Sequence, residues 1–318
     1  MRFKDQTKKV QRDIARYGMF FSYGLVNRLP YSMLKGLTRI FIAIGFCFTK
    51  RLQRTARESL TIAFGAEKSK AEIEKIIKDC FRNLGQGMIE MLYILDHPEI
   101  VKPHVSIDGK EHLDQALKEG RGVIAVTAHM GNFPLMLTRL AQEGYAPHVL
   151  MRPTRDKKID DFLLERRTRM GVRTIYTVPR KLCVQNSIQA LRNNEIIFML
   201  MDQHFGNESG VLVDFFGQKA ATATGPVVFA TRTKSPILPI FIIRDHDDYH
   251  KIFIEPPLAF AEKKDCDETL FLNISKITKI IEGYVRRYPH EWGWMHRRWK
   301  GQSPPASADE VTEQSLAG

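Results

Sequence analysis

The chain has 318 residues, of which 43% are hydrophobic and 26% charged, and this balance argues for a folded globular body and against a disordered chain. Lysine and arginine outnumber aspartate and glutamate by 48 to 36, so the formal net charge of +12 favours a polyanionic partner: nucleic acid, an anionic membrane surface or a phosphorylated substrate. The four cysteines form no CxxC pair, and none lies near a histidine at ligand spacing, which argues against a structural zinc site and a disulfide framework.

The N-terminal segment, residues 1–55, combines basic and apolar stretches. Residues 1–16 are polar and basic, and apolar stretches follow at 18–29 and 31–48. Neither stretch reaches the ~20 mostly apolar residues of a membrane-spanning helix, and no signal-peptide cleavage site follows them. We therefore expect an interfacial helix or helical hairpin that associates with a membrane; the alternative is a helix that covers part of the protein's own core. The basic residues expected to meet anionic headgroups are Lys35, Arg39, Lys50, Arg51 and Arg54.

The body of the chain, residues 56–300, starts with helical patterns and then alternates between strands and helices. Residues 51–100 predict helices through an apolar rhythm of 3.6 residues. Short apolar runs predict strands at 104–108, 122–128, 147–151, 174–176, 196–201, 237–243 and 252–254, with helices at 112–118, 133–142, 159–170, 183–192, 226–233 and 270–287. This alternation indicates an α/β fold with a mostly parallel sheet flanked by helices. The tail, residues 301–318, is expected to be disordered.

The most informative turn follows the strand at 122–128, where residues 127–134 read Thr-Ala-His-Met-Gly-Asn-Phe-Pro. Ligands of open α/β sheets bind beyond the carboxyl ends of strands, so His129 is a candidate functional residue. Asn132 is placed to cap the following helix and Pro134 suits its first turn. His129 would then lie beside a helix N-terminus that can hold an anion. A satisfied structural histidine is the alternative interpretation.

Several segments carry a resemblance to a known family. The His-x-Gly-Asn pattern at His129 resembles the histidine motif of the glycerolipid acyltransferases, and in particular that of the lipid A biosynthesis late acyltransferases. Further similar segments occur in the same order: Met151-Arg-Pro153, Arg167-Thr-Arg-Met-Gly171, Met201-Asp-Gln203, Val213-Asp-Phe-Phe-Gly217, Ala223-Thr-Gly-Pro226 and Tyr288–Lys300. The likeness extends over most of the chain, and its strength lies in the conserved order of individually weak motifs.

The resemblance implies an acyltransferase with a glycerolipid-acyltransferase-like fold and no cofactor or metal. It would move a fatty acyl chain from acyl carrier protein, or from acyl-CoA as second choice, to a hydroxyl of a lipid A precursor or a related phosphorylated lipid, at the cytoplasmic face of the inner membrane. His129 would be the general base. The residues in matching segments that are expected to bind substrate are Gly131, Asn132, Arg152, Arg169 and Gly225.

The expected reaction also needs donors for a tetrahedral oxyanion. The helix N-terminus around residues 131–133 and an arginine are candidates, and Gly131 would let the substrate approach the backbone closely. No serine or cysteine is placed as a nucleophile beside His129 in the sequence, so direct transfer without an acyl-enzyme is expected.

One position departs from the family pattern, which is a histidine, four residues and then an acid. Pro134 stands where the acid is expected. Such an acid orients the imidazole and stabilises its protonated form. Asp202, at the end of the strand 196–201, is the preferred replacement because a strand end fixes a side chain better than a loop does; Asp214 is the second choice. The alternative is a catalytically degraded family member that acts as a membrane-bound lipid-binding or scaffold protein.

Two basic segments complete the sequence picture. Eight basic residues lie close together and predict a patch for a phosphorylated lipid or an acidic carrier protein, or in part a solvated helix face: Arg152, Arg155, Lys157, Lys158, Arg166, Arg167, Arg169 and Arg173. The segment 292–300 mixes tryptophans with basic residues, which suits a membrane interface, nucleic acid or core packing. Without a recognised nucleic-acid motif, no nucleic-acid partner is expected.

Overall fold

The chain opens with helices. The computed structural model describes residues 3–65, 67–206, 210–246 and 248–300, and the tail that was predicted to be disordered lies outside these ranges. The first helices are α1 (Phe3–Val26), α2 (Tyr31–Phe48), α3 (Lys50–Phe64) and α4 (Lys70–Ile94). Helix α4 begins at a capping box, because the Ser69 hydroxyl accepts the Glu72 N–H while the Glu72 carboxylate accepts the Ser69 N–H. The predicted boundary at residue 55 falls within α3.

Strands and helices alternate along the rest of the chain, as predicted. The strands are β1 (Val105–Asp108), β2 (Val123–Thr127), β3 (Pro147–Met151), β4 (Arg173–Tyr176), β5 (Ile196–Leu200), β6 (Val211–Phe215), β7 (Gln218–Thr222), β8 (Ile237–His246) and β9 (Tyr249–Ile254). The helices are α5 (Val101–His104), α6 (Lys110–Lys118), α7 (Phe133–Gln142), α8 (Lys157–Arg169), α9 (Arg180–Arg192), α10 (Gly225–Thr233) and α11 (Cys266–Arg287), with 3-10 turns at Pro98–Ile100 and Pro289–Glu291.

Seven strands form one sheet in the order β1-β9-β8-β2-β5-β3-β4. Strands β8, β2, β5, β3 and β4 are parallel, whereas β9 runs antiparallel to β8 and carries β1 beside it. The predicted mostly parallel sheet is therefore confirmed. Because the five parallel strands share one direction, their carboxyl ends lie along a single margin, which we name the carboxyl edge; the opposite margin is the amino edge.

The sheet is buried on both faces. Alternate residues of β2 point to opposite sides, so Ile124 and Val126 join a core with α3, α9, α10 and α11, while Val123 and Ala125 join a core with α6 and α7. All five residues of β2 are buried. Such a strand, buried on both faces, reads as a continuous apolar run, and this explains why the sequence reveals it.

The hairpin of β6 and β7 lies outside the main sheet and includes Asp214, for which a loop position was predicted. The two strands pair antiparallel around the turn Phe216-Gly217, whose residues have φ of 58° and 73°. Two-residue hairpin turns with positive φ usually carry asparagine, aspartate or glycine. A phenylalanine at the first position hides this turn from pattern reading, so the assignment of Asp214 to a loop was wrong.

Helices α1 and α2 pack on the body and leave apolar residues exposed. The rings of Phe20 and Tyr23 lie 5.2 and 4.9 Å from that of Phe162 in α8, and Phe46 of α2 lies 5.3 Å from Phe81 of α4. The exposed apolar residues are Val10, Ile14, Tyr17, Phe21 and Leu25 on α1, and Met33, Ile40, Phe41, Ile44 and Phe48 on α2. Within the described ranges, no helix combines the length and apolar character needed to cross a membrane.

Candidate active site

Two polar residues follow the carboxyl ends of neighbouring strands at the middle of the sheet. Thr127 of β2 pairs with Leu200 of β5, and the backbone N–H of Met201 donates to the Thr127 carbonyl at 2.9 Å. His129 and Asp202 come two residues after these strand ends. Parallel pairing in this register therefore brings side chains that are 73 positions apart in the chain to the same point of the carboxyl edge.

His129 and Asp202 are joined by two hydrogen bonds. The Nδ1 atom of His129 lies 2.9 Å from Asp202 Oδ1, and the His129 backbone N–H donates to Oδ2 at 3.0 Å. The indole N–H of Trp292 donates to the same Oδ2 at 2.7 Å. Burial opposes ionisation of Asp202, but the hydrogen bonds from His129 and Trp292 outweigh it, so the pKa of this carboxyl lies below its ordinary value. The carboxylate is 1% exposed and the imidazole 32% exposed, so the acid is enclosed while the base is open.

The second ring nitrogen of His129 points away from the acid. Its Nε2 atom lies 3.2 Å from the amide nitrogen of Gln203, which also lies 3.1 Å from Nε2 of His296. The two imidazole rings are 5.6 Å apart. The ring of Phe133 contacts His129 edge-on, with centroids 5.9 Å apart. The imidazole is 32% exposed, so its Nε2 side is open apart from the amide of Gln203.

The segment from Pro289 to Lys300 folds back against this turn. Glu291 O accepts the Gly131 N–H at 3.0 Å, and the Gly293 N–H donates to His129 O at 3.2 Å. The indoles in this segment are buried, with Trp292 1% and Trp294 0% exposed. Of the alternatives left open for these tryptophans, the structure selects core packing. The indoles support the site from behind; of the basic residues in this segment, Arg298 is buried, whereas Arg297 and Lys300 are exposed.

The turn residues Gly131 and Asn132 make contacts that were not predicted from the sequence. A Cβ atom on Gly131, whose φ is +57°, would lie 2.1 Å from the Ile242 carbonyl oxygen, so close backbone packing requires the glycine. Its N–H is already donated to Glu291 and is not a spare donor for an oxyanion. Asn132 makes no side-chain cap on α7, and its amide donates instead to Glu90 at 2.9 Å. The predicted cap was wrong; Pro134 does lie in the first turn.

A groove opens beside His129, between α4 and the turn that precedes α7. Its walls are largely apolar and its empty volume, including the part open to solvent, is about 640 Å³. The lining residues are Cys80, Asn83, Leu84, Gly87, Met88, Met91, His129, Gly131, Asn132, Phe133, Pro134, Arg244, Glu291, Trp292 and Gly293. His129 therefore lies in the wall of a largely apolar groove.

Buried charged residues lie in and next to this groove. Arg244 donates to both carboxylate oxygens of Glu90, at 2.7 and 2.9 Å. Burial opposes ionisation of Glu90, but the partners His250 and Arg244 outweigh it and lower its pKa. Burial raises the pKa of Glu291 to about 7, against the attraction of Arg244. Glu291 accepts a hydrogen bond from Asn83 at 2.7 Å. In the described residues, His, Cys, Asp and Glu side chains form no cluster of three or more suited to a metal ion.

Cys80 lies in the groove but does not have the character of a nucleophile. Its thiol donates to the Trp292 carbonyl at 3.0 Å. Burial raises the pKa of Cys80 to about 12, and the reactive form of a cysteine is the thiolate. A protonated, hydrogen-bonded thiol is therefore a wall residue of the groove.

The remaining predicted site residues are distributed over the sheet. Arg152 follows β3 at the carboxyl edge and is exposed, and Gly225 begins α10, where a Cβ atom would lie 2.5 Å from Met199 Cε. Arg169 ends α8 near the amino edge, in an ion pair with Glu165. The structure does not bring Arg169 together with His129. Asp214 accepts the Gly217 N–H at the hairpin turn, so Asp202 is the acid that contacts the histidine.

The eight clustered basic residues do not form one surface. Helix α8 runs back from the carboxyl edge to the amino edge, so it separates Arg152 and Arg155 from Arg169 and Arg173. Arg167 is turned inward and donates to the Thr174 hydroxyl at 3.1 Å. The prediction of a single patch was wrong, because a helix of 13 residues is long enough to reach from one edge of the sheet to the other.

Four residues of the site were not assigned a role from sequence. Trp292 holds Asp202, Gln203 and His296 surround the open nitrogen of His129, and Arg244 lies in the groove. Gln203 and the C-terminal residues lie in segments that resemble the family, and this was the available signal. Sequence patterns alone do not predict that the fold brings the C-terminal segment against the end of β5.

Comparisons with known proteins find similar sequences among acyltransferases. A model of the family described as bacterial lipid A biosynthesis acyltransferase matches residues 1–301. The chain is 25% identical over 281 residues to the lipid A biosynthesis palmitoleoyltransferase of Escherichia coli (strain K12), covering 86% of this chain and 87% of that protein. It is 24% identical over 280 residues to the lipid A biosynthesis lauroyltransferase of the same organism, covering 87% and 88%. A phosphatidylinositol mannoside acyltransferase of Mycobacterium tuberculosis (strain CDC 1551 / Oshkosh) is 25% identical over 134 residues, 42% of each chain.

Proposed function

Since this chain belongs to the bacterial lipid A biosynthesis acyltransferase family, we propose that His129 is the general base of its acyl transfer to a lipid A precursor. The protein is an acyltransferase of lipid A biosynthesis. The observation that carries the proposal is the contact between His129 and the buried Asp202, because it supplies the acid that is absent at Pro134. The alternative of a degraded, non-catalytic homologue rested on that absence.

The proposed reaction uses the two nitrogens of His129 differently. Nδ1 donates to Asp202, which leaves the lone pair of Nε2 to accept the proton of the acceptor hydroxyl. The hydroxyl oxygen attacks the thioester carbonyl, and the buried carboxylate stabilises the imidazolium that forms. When the tetrahedral intermediate collapses, the C–S bond breaks and the imidazolium returns the proton to the leaving thiolate. The thiol of the donor and the new ester are the products.

Donors for the oxyanion are expected at the start of α7. Phe133 is the first residue of this helix, so its N–H has no partner within the helix, and its ring lies beside that of His129. Direct transfer is favoured because the groove thiol, Cys80, is protonated and bonded to Trp292. The apolar wall formed by Leu84, Met88 and Met91 suits the acyl chain.

The donor is proposed to be acyl carrier protein, with acyl-CoA as the alternative. Both present a thioester attached to an anionic carrier. Exposed Arg152 and Arg155 follow β3 at the carboxyl edge, two strands from β2, where positive charge favours an acidic protein or a phosphorylated lipid. Arg169 is left out of this proposal because it lies near the amino edge.

A membrane surface is the proposed setting, at the cytoplasmic face of the inner membrane. The exposed apolar residues of α1 recur at 10, 14, 17, 21 and 25, which places them along one side of the helix. Exposed Arg39, Lys50, Arg51 and Arg54 lie on α2 and α3 and suit anionic headgroups; the side chain of Lys35 lies outside the described residues. Sedimentation with vesicles of anionic and of neutral lipid measures this contribution.

The test is a purified assay with acyl carrier protein or CoA carrying the same acyl chain, and a lipid A precursor as acceptor. We expect His129→Ala to lower kcat by about 10³-fold while the thermal unfolding midpoint stays close to that of the parent. The matched control is His148→Gln, which retains a donor for Glu195 at the amino edge and should keep full activity.

Two outcomes would overturn the proposal. Turnover retained by His129→Ala would remove His129 from the mechanism. Lipid binding without turnover by the parent protein, with every donor, would favour the lipid-binding or scaffold alternative. Mass spectrometry of cellular lipids with and without the protein identifies the acyl chain and the acceptor together.

A further inference from the structure

Gln203 occupies a position between two histidines at the open side of the site. Its amide nitrogen lies 3.2 Å from Nε2 of His129 and 3.1 Å from Nε2 of His296. Both distances are within hydrogen-bond range. A primary amide nitrogen carries two hydrogens and can therefore donate to both rings at once.

The protonation of both rings follows from this arrangement. A nitrogen that accepts a hydrogen bond from the amide must carry a lone pair, so Nε2 of His129 and Nε2 of His296 are both unprotonated. The proton of a neutral His129 then lies on Nδ1, where it is donated to Asp202. The opposite orientation of the amide would place its oxygen against both rings and would require a proton on each Nε2. His129 would then be an imidazolium and could not act as a base.

The bridge is anchored at both ends by the C-terminal segment. The buried Arg298 donates to the backbone carbonyl of Gln203 at 3.1 Å and to that of Ala221 at 2.6 Å. The backbone N–H of His296 donates to Gly293 O at 3.2 Å, and Gly293 in turn donates to His129 O. The backbones of Gln203 and of the second histidine are thus fixed relative to the base by the same stretch of chain, and the amide itself is held by the two rings.

We propose that Gln203, oriented by His296, is a positioning residue that keeps His129 in the tautomer with an unprotonated Nε2. The amide occupies the place of the acceptor hydroxyl in the resting enzyme. An arriving hydroxyl replaces one amide hydrogen at His129, while the second hydrogen remains bonded to His296. This exchange makes and breaks hydrogen bonds only, and its consequence for catalysis rests on the proposed function.

The tautomer is measured directly by ¹⁵N NMR of protein labelled in histidine, with the His129 signals assigned by their loss in His129→Ala. At pH 7.5 we expect a protonated Nδ1 and an unprotonated Nε2 in the parent. Gln203→Glu replaces the donor with an acceptor between the two rings, so we expect Nε2 of His129 to become protonated as well. A parent ring protonated on Nε2 and bare at Nδ1, or a His129 spectrum unchanged in Gln203→Glu, would overturn the proposal.

Kinetics separate positioning from packing. His296→Gln keeps an acceptor at the place of Nε2, whereas His296→Leu removes it. We expect kcat to fall about tenfold in His296→Leu and less than threefold in His296→Gln, with KM within twofold in both, which corresponds to the loss of one hydrogen bond. Equal losses in the two variants, or losses confined to KM, would contradict a role in orienting Gln203. His148→Gln again serves as the control.

The NMR and kinetic measurements also distinguish a failure of this proposal from a failure of the proposed function. The NMR measurement needs no turnover, so it tests the amide bridge even in a protein that shows no activity. Retained activity of His129→Ala would overturn the general-base assignment while leaving the tautomer result to stand by itself.

Discussion

Two histidine–carboxylate pairs connect neighbouring strands of this sheet, and only one of them has surroundings suited to catalysis. His129 and Asp202 join the ends of β2 and β5 at the carboxyl edge, with Nδ1 and Oδ1 2.9 Å apart. His148 of β3 contacts Glu195, the residue before β5, with Nε2 and Oε2 2.8 Å apart. The residue types and the distances are nearly the same, so the difference must lie in the surroundings.

The pairs differ in which partner is enclosed. At the carboxyl edge the acid is enclosed and the base is open, and the acid contacts Nδ1, which leaves Nε2 next to Gln203 on the open side of the site. At the amino edge the histidine side chain is only 11% exposed, its Nε2 is occupied by Glu195, and burial lowers its pKa. Glu195 is also shared with Arg173. A general base must reach its substrate, and the imidazole of His148 is far less exposed than that of His129.

Asp202→Asn is expected to show the largest difference in kcat between the two histidine–carboxylate pairs. The amide cannot stabilise an imidazolium and can favour the wrong tautomer, so we expect kcat to fall about 10³-fold. The matched control is Glu195→Gln, which makes the same chemical change at the amino edge and should leave kcat within twofold. Initial rates at saturating donor and acceptor measure both. Equal losses in the two variants would show that the pairs do not differ in function.

A second prediction concerns an acid whose protonation differs from that of Asp202. The pKa of Glu291 is about 7 in the folded protein and 4.5 ordinarily, so the unfolded chain ionises first as the pH rises. The contribution of Glu291 to the free energy of unfolding is therefore greatest below pH 4.5. About a few kcal/mol of this contribution are lost as the pH rises from 4.5 to about 7. Glu291→Gln keeps an acceptor for Asn83 and should remove that slope in urea denaturation at pH 5 and 8.

The control for this titration is the exposed Glu268→Gln, which should follow the parent at both pH values. If the parent and Glu291→Gln lose stability in parallel between pH 5 and 8, Glu291 is ionised throughout. The contrast between the hydrogen-bonded Asp202 and the poorly compensated Glu291 would then disappear.

Much of the carboxyl edge could be predicted from the sequence, because it depends on short-range signals. The apolar run of β2, the glycine and proline of the following turn, and a strand ending before Asp202 place both side chains at one sheet margin. The choice between Asp202 and Asp214 followed from the same logic. The contact itself, however, depends on the register of β2 against β5, which only the folded structure supplies.

The contacts that could not be predicted from the sequence join residues far apart in the chain. Trp292 reaches Asp202 across 90 positions and Arg298 reaches Gln203 across 95, and no local pattern encodes either contact. The same limit explains the basic cluster: eight residues adjacent in sequence are divided by α8 between the two edges. Residue types with two uses, such as tryptophan beside arginine, cannot be assigned to an interface or to a core without the fold.

A third prediction tests the charge at the carboxyl edge. Arg152→Ala removes an exposed guanidinium that follows β3, and we expect KM for acyl carrier protein to rise about tenfold with kcat little changed, because a binding contact is lost and not the base. The effect should weaken as salt is raised. A matched loss with acyl-CoA would indicate a contact to the phosphorylated acceptor instead, and an unchanged KM for every substrate would remove Arg152 from the binding surface.

The smallest effect should come from Arg169→Ala, and it tests the comparison of the two edges most strictly. Arg152 and Arg169 both lie in segments that resemble the family, but the second ends α8 near the amino edge, 65% exposed and paired with Glu165 at helix spacing. Such an exposed pair contributes little to stability. We expect kcat and KM within twofold of the parent and an unfolding midpoint shifted by no more than about 1 °C. A tenfold rise in KM would mean that substrate extends to the amino edge, and the functional division drawn between the edges would have to be abandoned.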